Sequence, residues 1–151
     1  MAKKIAILED NQDRIAAMRQ CLDDKFYQFE TWFFDTPGEM IKFLKMELPE
    51  TIAISLDHDL ELIPAADGRL LDPGTGREVA DFLARQHPSC PVIVHSSNAS
   101  AALGMEMVLQ DANWVTYRVC PCGDLDWIPG SWLRTMRNAI VGSVREMPAI
   151  E

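Results

Sequence analysis

Short apolar runs alternate with amphipathic stretches along the whole of this chain. Runs that suit buried strands cover residues 5–8, 27–34, 52–56, 92–95 and 114–119. Between them, apolar positions recur at helical spacing, as at Ile15, Met18 and Leu22. Asn11 is a candidate N-cap for that first helix. The pattern therefore predicts a strand followed by a helix, five times over.

The later helices carry their own start signals. Thr36-Pro37-Gly38-Glu39 forms a capping box with proline in the first turn, and it predicts the second helix. Further helices are predicted over 77–86, over 99–110 and from Trp132 onward. Residues 61–76 are rich in proline and glycine, so an extended loop is expected after the third strand. Such alternation predicts a doubly wound α/β fold, with five parallel strands between two helical layers.

Composition and charge narrow the class of protein. A length of 151 residues predicts one domain over 1–151. A net charge of −9 argues against general nucleic-acid binding, which needs a basic face. The chain has no apolar run long enough to span a membrane and no signal-peptide core, so a cytoplasmic protein is expected. Its Cys120-Pro121-Cys122 cluster lacks the second pair that a zinc site needs, so incidental thiols are predicted there.

Two of the predicted strands end abruptly in acidic residues. Glu9 and Asp10 follow the first strand, and Asp57-His58-Asp59 follows the third. In an open parallel sheet, ligands bind at the carboxyl ends of the strands. Carboxylates crowded there repel one another unless a cation lies between them, and hard oxygen ligands suit Mg²⁺. The sequence therefore predicts a Mg²⁺ (or Mn²⁺) site that acts on phosphate.

On these residues the chain resembles the receiver domains of two-component response regulators, which have a flavodoxin-like (βα)5 sandwich fold. The resemblance implies that Glu9 and Asp10 bind the metal and that Asp57 is the phosphoacceptor. It assigns a metal-binding backbone carbonyl to Asp59. It also implies that Ser96, which ends the fourth strand, contacts the phosphoryl oxygens.

The chain departs from the receiver pattern in its last strand. The family's charge-balancing lysine is replaced by Arg118, and the proline that follows it by Val119. Val115 stands where the family carries a switch aromatic. The Asp57-His58-Asp59-Leu60 and His95-Ser96-Ser97-Asn98 segments are more similar to a divergent branch, the cyclic-phosphate-processing receiver domains. That branch implies action on cyclic or terminal phosphates of nucleotides or RNA ends.

Several residue roles stay open at this stage. Asp59 either helps bind metal or acts as an acid in a DxD arrangement. His58 and His95 either act as general base and acid on a phosphodiester or are ordinary hydrogen-bonding residues. Arg118 clamps phosphate or pairs with Asp57 in the empty site. Asn98 binds substrate or caps the next helix.

Three functions follow from these alternatives. The first is metal-dependent phosphoryl handling, by a phosphoesterase or a phosphotransfer protein, with Asp57 as phosphoacceptor or as metal ligand. The second is a stand-alone receiver phosphorylated on Asp57 by a histidine kinase. The third is a binding-only pseudo-receiver. The expected partners are a phosphorylated small molecule, a nucleotide or RNA end, or a histidine kinase, and a homodimer is left open.

Overall fold

A five-stranded parallel sheet forms the centre of the molecule. The computed structural model describes residues 2–145, and the side chains of residues 2–143. The strands in chain order are β1 (Lys4–Leu8), β2 (Glu30–Phe34), β3 (Thr51–Leu56), a hairpin of β4 (Ile63–Pro64) with β5 (Leu70–Leu71), β6 (Val92–His95) and β7 (Thr116–Val119). The sheet order is β2-β1-β3-β6-β7, and every neighbouring pair is parallel. The predicted doubly wound α/β fold is confirmed.

Five helices cover the two faces of this sheet. They are α1 (Gln12–Lys25), α2 (Pro37–Glu47), α3 (Gly76–Ala84), α4 (Ala99–Asp111) and α5 (Leu133–Arg145). The predicted caps form, because side-chain oxygens of Asn11 and Thr36 accept hydrogen bonds from first-turn backbone N–H groups. Asn98 caps α4 in the same way. None of the described helices is long and apolar enough to cross a lipid bilayer.

The core lies in two layers, one on each side of the sheet. Helices α2, α3 and α4 pack on one face, where Met40, Leu83 and Met105 are fully buried. Helices α1 and α5 pack on the other, around Met18 and the indole of Trp132. Because both faces are covered, the central strands β1 and β3 are apolar along nearly all their length.

Some element boundaries differ from the predicted ones. Strand β2 begins at Glu30 rather than at residue 27, and the Tyr27 side chain is exposed. Strand β7 begins at Thr116, because Asn113 has a positive φ and Trp114 turns inward to donate a hydrogen bond to the Leu83 carbonyl. The organisation as one domain over 1–151 stays a prediction, since residues 1 and 146–151 lie outside the description.

The loop over 61–76 contains the β4–β5 hairpin, whose apolar side chains are exposed. Its last residue, Gly76, begins α3 and donates its N–H to the His58 carbonyl at 3.1 Å. A Cβ at Gly76 would lie 1.9 Å from the Asp57 carbonyl oxygen. Only glycine therefore lets the loop return so close to the end of β3.

Candidate metal centre

Three polar side chains meet at the carboxyl ends of three adjacent strands. Glu9 follows β1, Asp57 follows β3 and His95 ends β6. Glu9 and His95 are fully buried, and Asp57 is 6% exposed. One ligand atom from each of the three lies within 4.8 Å of the other two. We call these three residues the acidic cluster.

The Glu9 carboxylate is held by the start of α1. Its Oε2 accepts hydrogen bonds from the backbone N–H groups of Asp10 (3.0 Å) and Asn11 (3.1 Å). Its Oε1 faces Nε2 of His95 at 3.2 Å and Nη1 of Arg14 at 3.5 Å. Burial acts to raise the pKa of Glu9, but the His95 imidazole, the Asn11 N–H and Arg14 together outweigh it and lower the pKa. Glu9 is therefore a carboxylate at neutral pH.

The His95 ring is fixed by a buried network beneath the cluster. Its Nδ1 lies 2.7 Å from Oγ of Ser55, which also accepts a hydrogen bond from the Trp132 indole at 3.1 Å. The ring stacks on Trp127 at 6.1 Å between centroids. Nε2 is buried and lies 3.2 Å from Oε1 of Glu9, but it has no hydrogen bond of good geometry among the described residues. With the proton on Nδ1, Nε2 presents a lone pair to the cluster.

Asp57 differs from Glu9 in the direction of its pKa shift. Its Oδ1 accepts a hydrogen bond from the His58 backbone N–H at 2.7 Å, and its Oδ2 lies 3.6 Å from Nη1 of Arg14. Burial raises the pKa of Asp57 to about 6, and the Glu9 charge adds to this, although His95, the His58 N–H and Arg14 act to lower it. Two adjacent buried carboxylates repel each other, and a cation between them would relieve that repulsion.

Two predicted metal ligands lie outside the acidic cluster. The Asp10 carboxylate accepts a hydrogen bond from the Glu61 backbone N–H. Asp59 is largely exposed, and its Oδ1 lies 2.7 Å from Nδ1 of His58. The structure thus brings Glu9 and Asp57 together as expected, but adds His95 to them instead of Asp10 and Asp59.

The two candidate catalytic histidines, His58 and His95, lie in different environments. His95 is buried within the cluster, whereas His58 is partly exposed and pairs with Asp59. The difference follows from strand geometry. His95 is the last residue of β6, on the same face as Ile93, and that face is covered by α1 and α5.

The phosphate-binding candidates Ser96 and Asn98 lie at the start of α4. Ser96 is 3% exposed, and its Oγ accepts a hydrogen bond from the Asn98 backbone N–H at 3.1 Å. The Asn98 side chain accepts hydrogen bonds from Ser100 and from the Ala101 backbone. Asn98 is therefore engaged as the helix cap, and the Ser96 hydroxyl retains its hydrogen for a ligand.

Pairing with Asp57 was one of the two roles predicted for Arg118, but the structure gives Arg118 a different partner. Its guanidinium binds Glu106 of α4 through two contacts, at 2.7 and 3.2 Å. The register pairs Arg118 with Val94, and both side chains belong to the sheet face that α4 covers. The same register pairs His95 with Val119, so the next residues along are Ser96 and Cys120. Cys120-Pro121, rather than Arg118-Val119, stands beside Ser96 at the strand end.

Arg14 was not identified from the sequence as a site residue. It lies in the first turn of α1, and its Nη1 is within 3.6 Å of both cluster carboxylates. Its guanidinium also lies over the Trp127 ring, 5.3 Å from the ring centroid. The first turn of a helix that follows β1 stands at the same edge of the sheet as the strand ends. That position was the available signal in the sequence.

Arg69 in the loop over 61–76 and Arg77 at the start of α3 each have an acidic partner nearby. Arg69 pairs with Asp67 at 2.6 Å, and Arg77 pairs with Asp81 at 2.9 Å. Both pairs are solvent-exposed, where ion pairs contribute little to stability. The positive charge beside the acidic cluster comes from Arg14.

Comparison with known proteins gives a family match and a set of structural likenesses. The family model of the cyclic-phosphate processing receiver domain matches residues 6–111. No protein of curated function matches the sequence.

The solved structures that resemble this chain are receiver proteins. The phosphorylated cyanobacterial phytochrome response regulator RcpA has a TM-score of 0.69 at 18% identity, over 95% of this chain and 96% of that one. The receiver domain of an HD domain-containing protein from Pseudomonas fluorescens has a TM-score of 0.69 at 12% identity, over 97% and 100%. The Mn²⁺-bound form of the response regulator Rcp1 has a TM-score of 0.65 at 16% identity, over 99% of each chain. At these identities the likeness shows the fold.

Proposed function

The chain belongs to the family of cyclic-phosphate processing receiver domains, and from this we propose that it binds a divalent metal ion at the acidic cluster and hydrolyses a cyclic phosphate on a nucleotide or RNA end. One observation carries the proposal. Donor atoms of Glu9, Asp57 and His95 converge within 4.8 Å, and Nε2 of His95 is buried there without a well-formed hydrogen bond to any residue that the structure describes. A buried nitrogen without a hydrogen-bond partner destabilises the folded protein unless a ligand binds to it.

The donor set favours manganese over magnesium. Mg²⁺ prefers ligand shells made wholly of oxygen, whereas an imidazole nitrogen suits first-row transition metals. The cluster offers two carboxylates and one imidazole. Ser55 and Trp132 form the outer shell that orients the imidazole, as is usual for metal-bound histidine.

Ser96, His58 and Asp59 have roles of their own in the proposed hydrolysis. A bound divalent ion would neutralise the phosphate oxygens and polarise the P–O bonds. The Ser96 hydroxyl donates to a non-bridging oxygen. Asp59 accepts the Nδ1–H of His58, which leaves Nε2 of His58 to take a proton from water. Water then opens one P–O bond, and that proton passes to the leaving oxygen, which gives a phosphomonoester and a hydroxyl.

A phosphoacceptor role for Asp57 is the second candidate. Asp57 directly follows β3, the central strand of the sheet, and Ser96 directly follows the neighbouring strand β6. In that reading a histidine kinase or a small phosphodonor would supply the phosphoryl group. The position taken by Cys120 beside Ser96 argues against it, since it removes the charge-balancing lysine implied by the receiver resemblance.

The metal site is tested first, by calorimetric titration of Mn²⁺ and Mg²⁺ into chelator-treated protein. Asp57→Asn and His95→Gln should each weaken Mn²⁺ binding by about tenfold or more, since each removes a ligand. Asp10→Asn serves as the matched control, because Asp10 adjoins Glu9 but lies outside the cluster. Absence of metal uptake by the wild type would refute the proposal.

The reaction is tested with 2′,3′-cyclic nucleotides and with RNA that ends in a 2′,3′-cyclic phosphate. His58→Gln should retain metal affinity and lose turnover by about 100-fold or more, as expected for a general base. A stable acyl-phosphate on Asp57 without turnover would instead support the second candidate.

A further inference from the structure

Arg14 supplies the positive charge beside the acidic cluster. Its Nη1 lies 3.5 Å from Oε1 of Glu9 and 3.6 Å from Oδ2 of Asp57. Both distances are longer than those of a good charge-assisted hydrogen bond, at about 2.7–2.9 Å. The guanidinium is therefore near both carboxylates without being locked to either. About a quarter of the Arg14 side chain is exposed to solvent, so the guanidinium can reach a ligand that approaches from the solvent.

The contacts of Arg14 use only part of its hydrogen-bonding capacity. Both carboxylate contacts are made by Nη1, and among the described residues Nε and Nη2 have no hydrogen-bond partner. The exposed or half-exposed arginines Arg69, Arg77 and Arg118 are each paired with a nearby acid. Arg14 thus combines proximity to the cluster with unused donors, in the planar fork that suits phosphate oxygens.

Trp127 determines how Arg14 can move. The guanidinium lies over the indole at 5.3 Å, and the His95 ring stacks on the same indole. Trp127 is 4% exposed, so the ring is a fixed surface. A cation over an aromatic face gains from the ring quadrupole without a directional bond. The guanidinium is therefore able to move along that surface while it remains desolvated on one side.

We propose that Arg14 is the phosphate-binding residue of this site, and that it serves as the counter-ion of Glu9 and Asp57 until a divalent ion replaces it. This inference rests on the proposed function, since it assumes a metal at the cluster. Two positive groups compete for the same two carboxylates. With a divalent ion held by Glu9 and Asp57, the Arg14 guanidinium would be released from them and could turn on Trp127 to bind the non-bridging oxygens of the substrate.

The test compares wild type with Arg14→Ala, Arg14→Lys and Arg19→Ala. Arg19 is the matched control, because it lies on the same helix and stacks on Phe33 at 4.7 Å, away from the cluster. Mn²⁺ affinity is measured by calorimetry without substrate. The affinity of the manganese-loaded protein for inorganic phosphate is then measured in the same way.

Arg14→Ala should bind Mn²⁺ more tightly than wild type, by about threefold to tenfold, because a competing cation is gone. It should bind phosphate about tenfold or more weakly, since charged hydrogen bonds are lost. Arg14→Lys should restore the charge competition but only part of the phosphate affinity. Arg19→Ala should match wild type in both measurements.

Two results would overturn the role of Arg14. One is unchanged phosphate affinity in manganese-loaded Arg14→Ala, and the other is Mn²⁺ binding that is equal to or weaker than that of wild type. Either result, in a wild-type protein that binds Mn²⁺ and opens cyclic phosphates, refutes this inference and leaves the proposed function intact. A wild type that takes up no metal refutes the proposed function first.

Discussion

Ser55 is the shared hydrogen-bond partner of two buried ring nitrogens beneath the acidic cluster, and its replacement by alanine should be costly. The hydroxyl lies 2.7 Å from Nδ1 of His95 and 3.1 Å from Nε1 of Trp132. All three side chains are fully buried. In Ser55→Ala neither nitrogen has a replacement partner at that position. The mutation should therefore reduce both the stability of the fold and the affinity of the site for metal.

The magnitude follows from the two lost hydrogen bonds. A buried polar group left unsatisfied costs about 1–3 kcal/mol, so two such groups cost about 2–6 kcal/mol. For a domain of this size each kcal/mol lowers Tm by about 2–4 °C, which gives a fall on the order of 10 °C. Metal affinity should fall by about 10- to 100-fold, as for other outer-shell partners of metal-bound histidine.

The assay is urea denaturation of the metal-free protein, combined with Mn²⁺ calorimetry. A double-mutant cycle with Trp132→Phe isolates the bond between the indole and the hydroxyl, and a coupling of about 0.5–3 kcal/mol is expected. Ser131→Ala is a suitable control, because among the described residues that hydroxyl donates a single long hydrogen bond, of 3.4 Å, to the Trp127 carbonyl. If Ser55→Ala changed neither unfolding free energy nor Mn²⁺ affinity, the network would not be what orients His95.

Three further predictions concern other parts of the molecule. Gly76→Ala should lower the free energy of unfolding by about 2 kcal/mol or more, because the added Cβ would clash with the Asp57 carbonyl. In the same denaturation experiments Gly38→Ala should be neutral or stabilising, because a Cβ there meets nothing within 4 Å. Since the pKa of Asp57 is raised from 3.8 to about 6, its contribution to stability is full below pH 3.8 and is lost as pH rises through 6. Between pH 5 and 7.5 in chelator, wild type should thus lose on the order of 1 kcal/mol relative to Asp57→Asn, and an equal pH response of the two proteins would contradict this. Burial raises the pKa of Cys90 to about 12, so a thiol reagent at pH 8 should label the exposed Cys120 and Cys122 rapidly and Cys90 only after denaturation.

The sheet was predictable from the sequence because its signal is repeated along the chain. Each apolar run that ends in polar residues, such as the run before Glu9 and the run before Asp57, is a local pattern that predicts a buried strand. The alternation of strands and helices then fixes which ends of the strands meet. For that reason the approach of Glu9 to Asp57 follows from order along the chain alone.

The remaining site residues depend on side-chain direction, which order along the chain does not fix. Arg118 stands one residue before the strand end, so strand alternation turns it toward α4 and Glu106. His95 lies where the strand ends on the opposite face, and it enters the cluster. Asp10, next to Glu9, faces the backbone of Glu61 instead. A shift of one residue in register exchanges the faces, and the register was visible only in the folded sheet.

The two buried indoles at this site give the protein its own optical reporter. Trp127 lies between the Arg14 guanidinium and the His95 ring, and Trp132 shares its hydroxyl partner with that same ring. Of the other two tryptophans, Trp32 is on an edge strand and Trp114 contacts the end of α3. The fluorescence emission of Trp127 and Trp132 should therefore change when an ion or a ligand binds at the acidic cluster. A paramagnetic ion there would quench it, and the signal can be read without any added label.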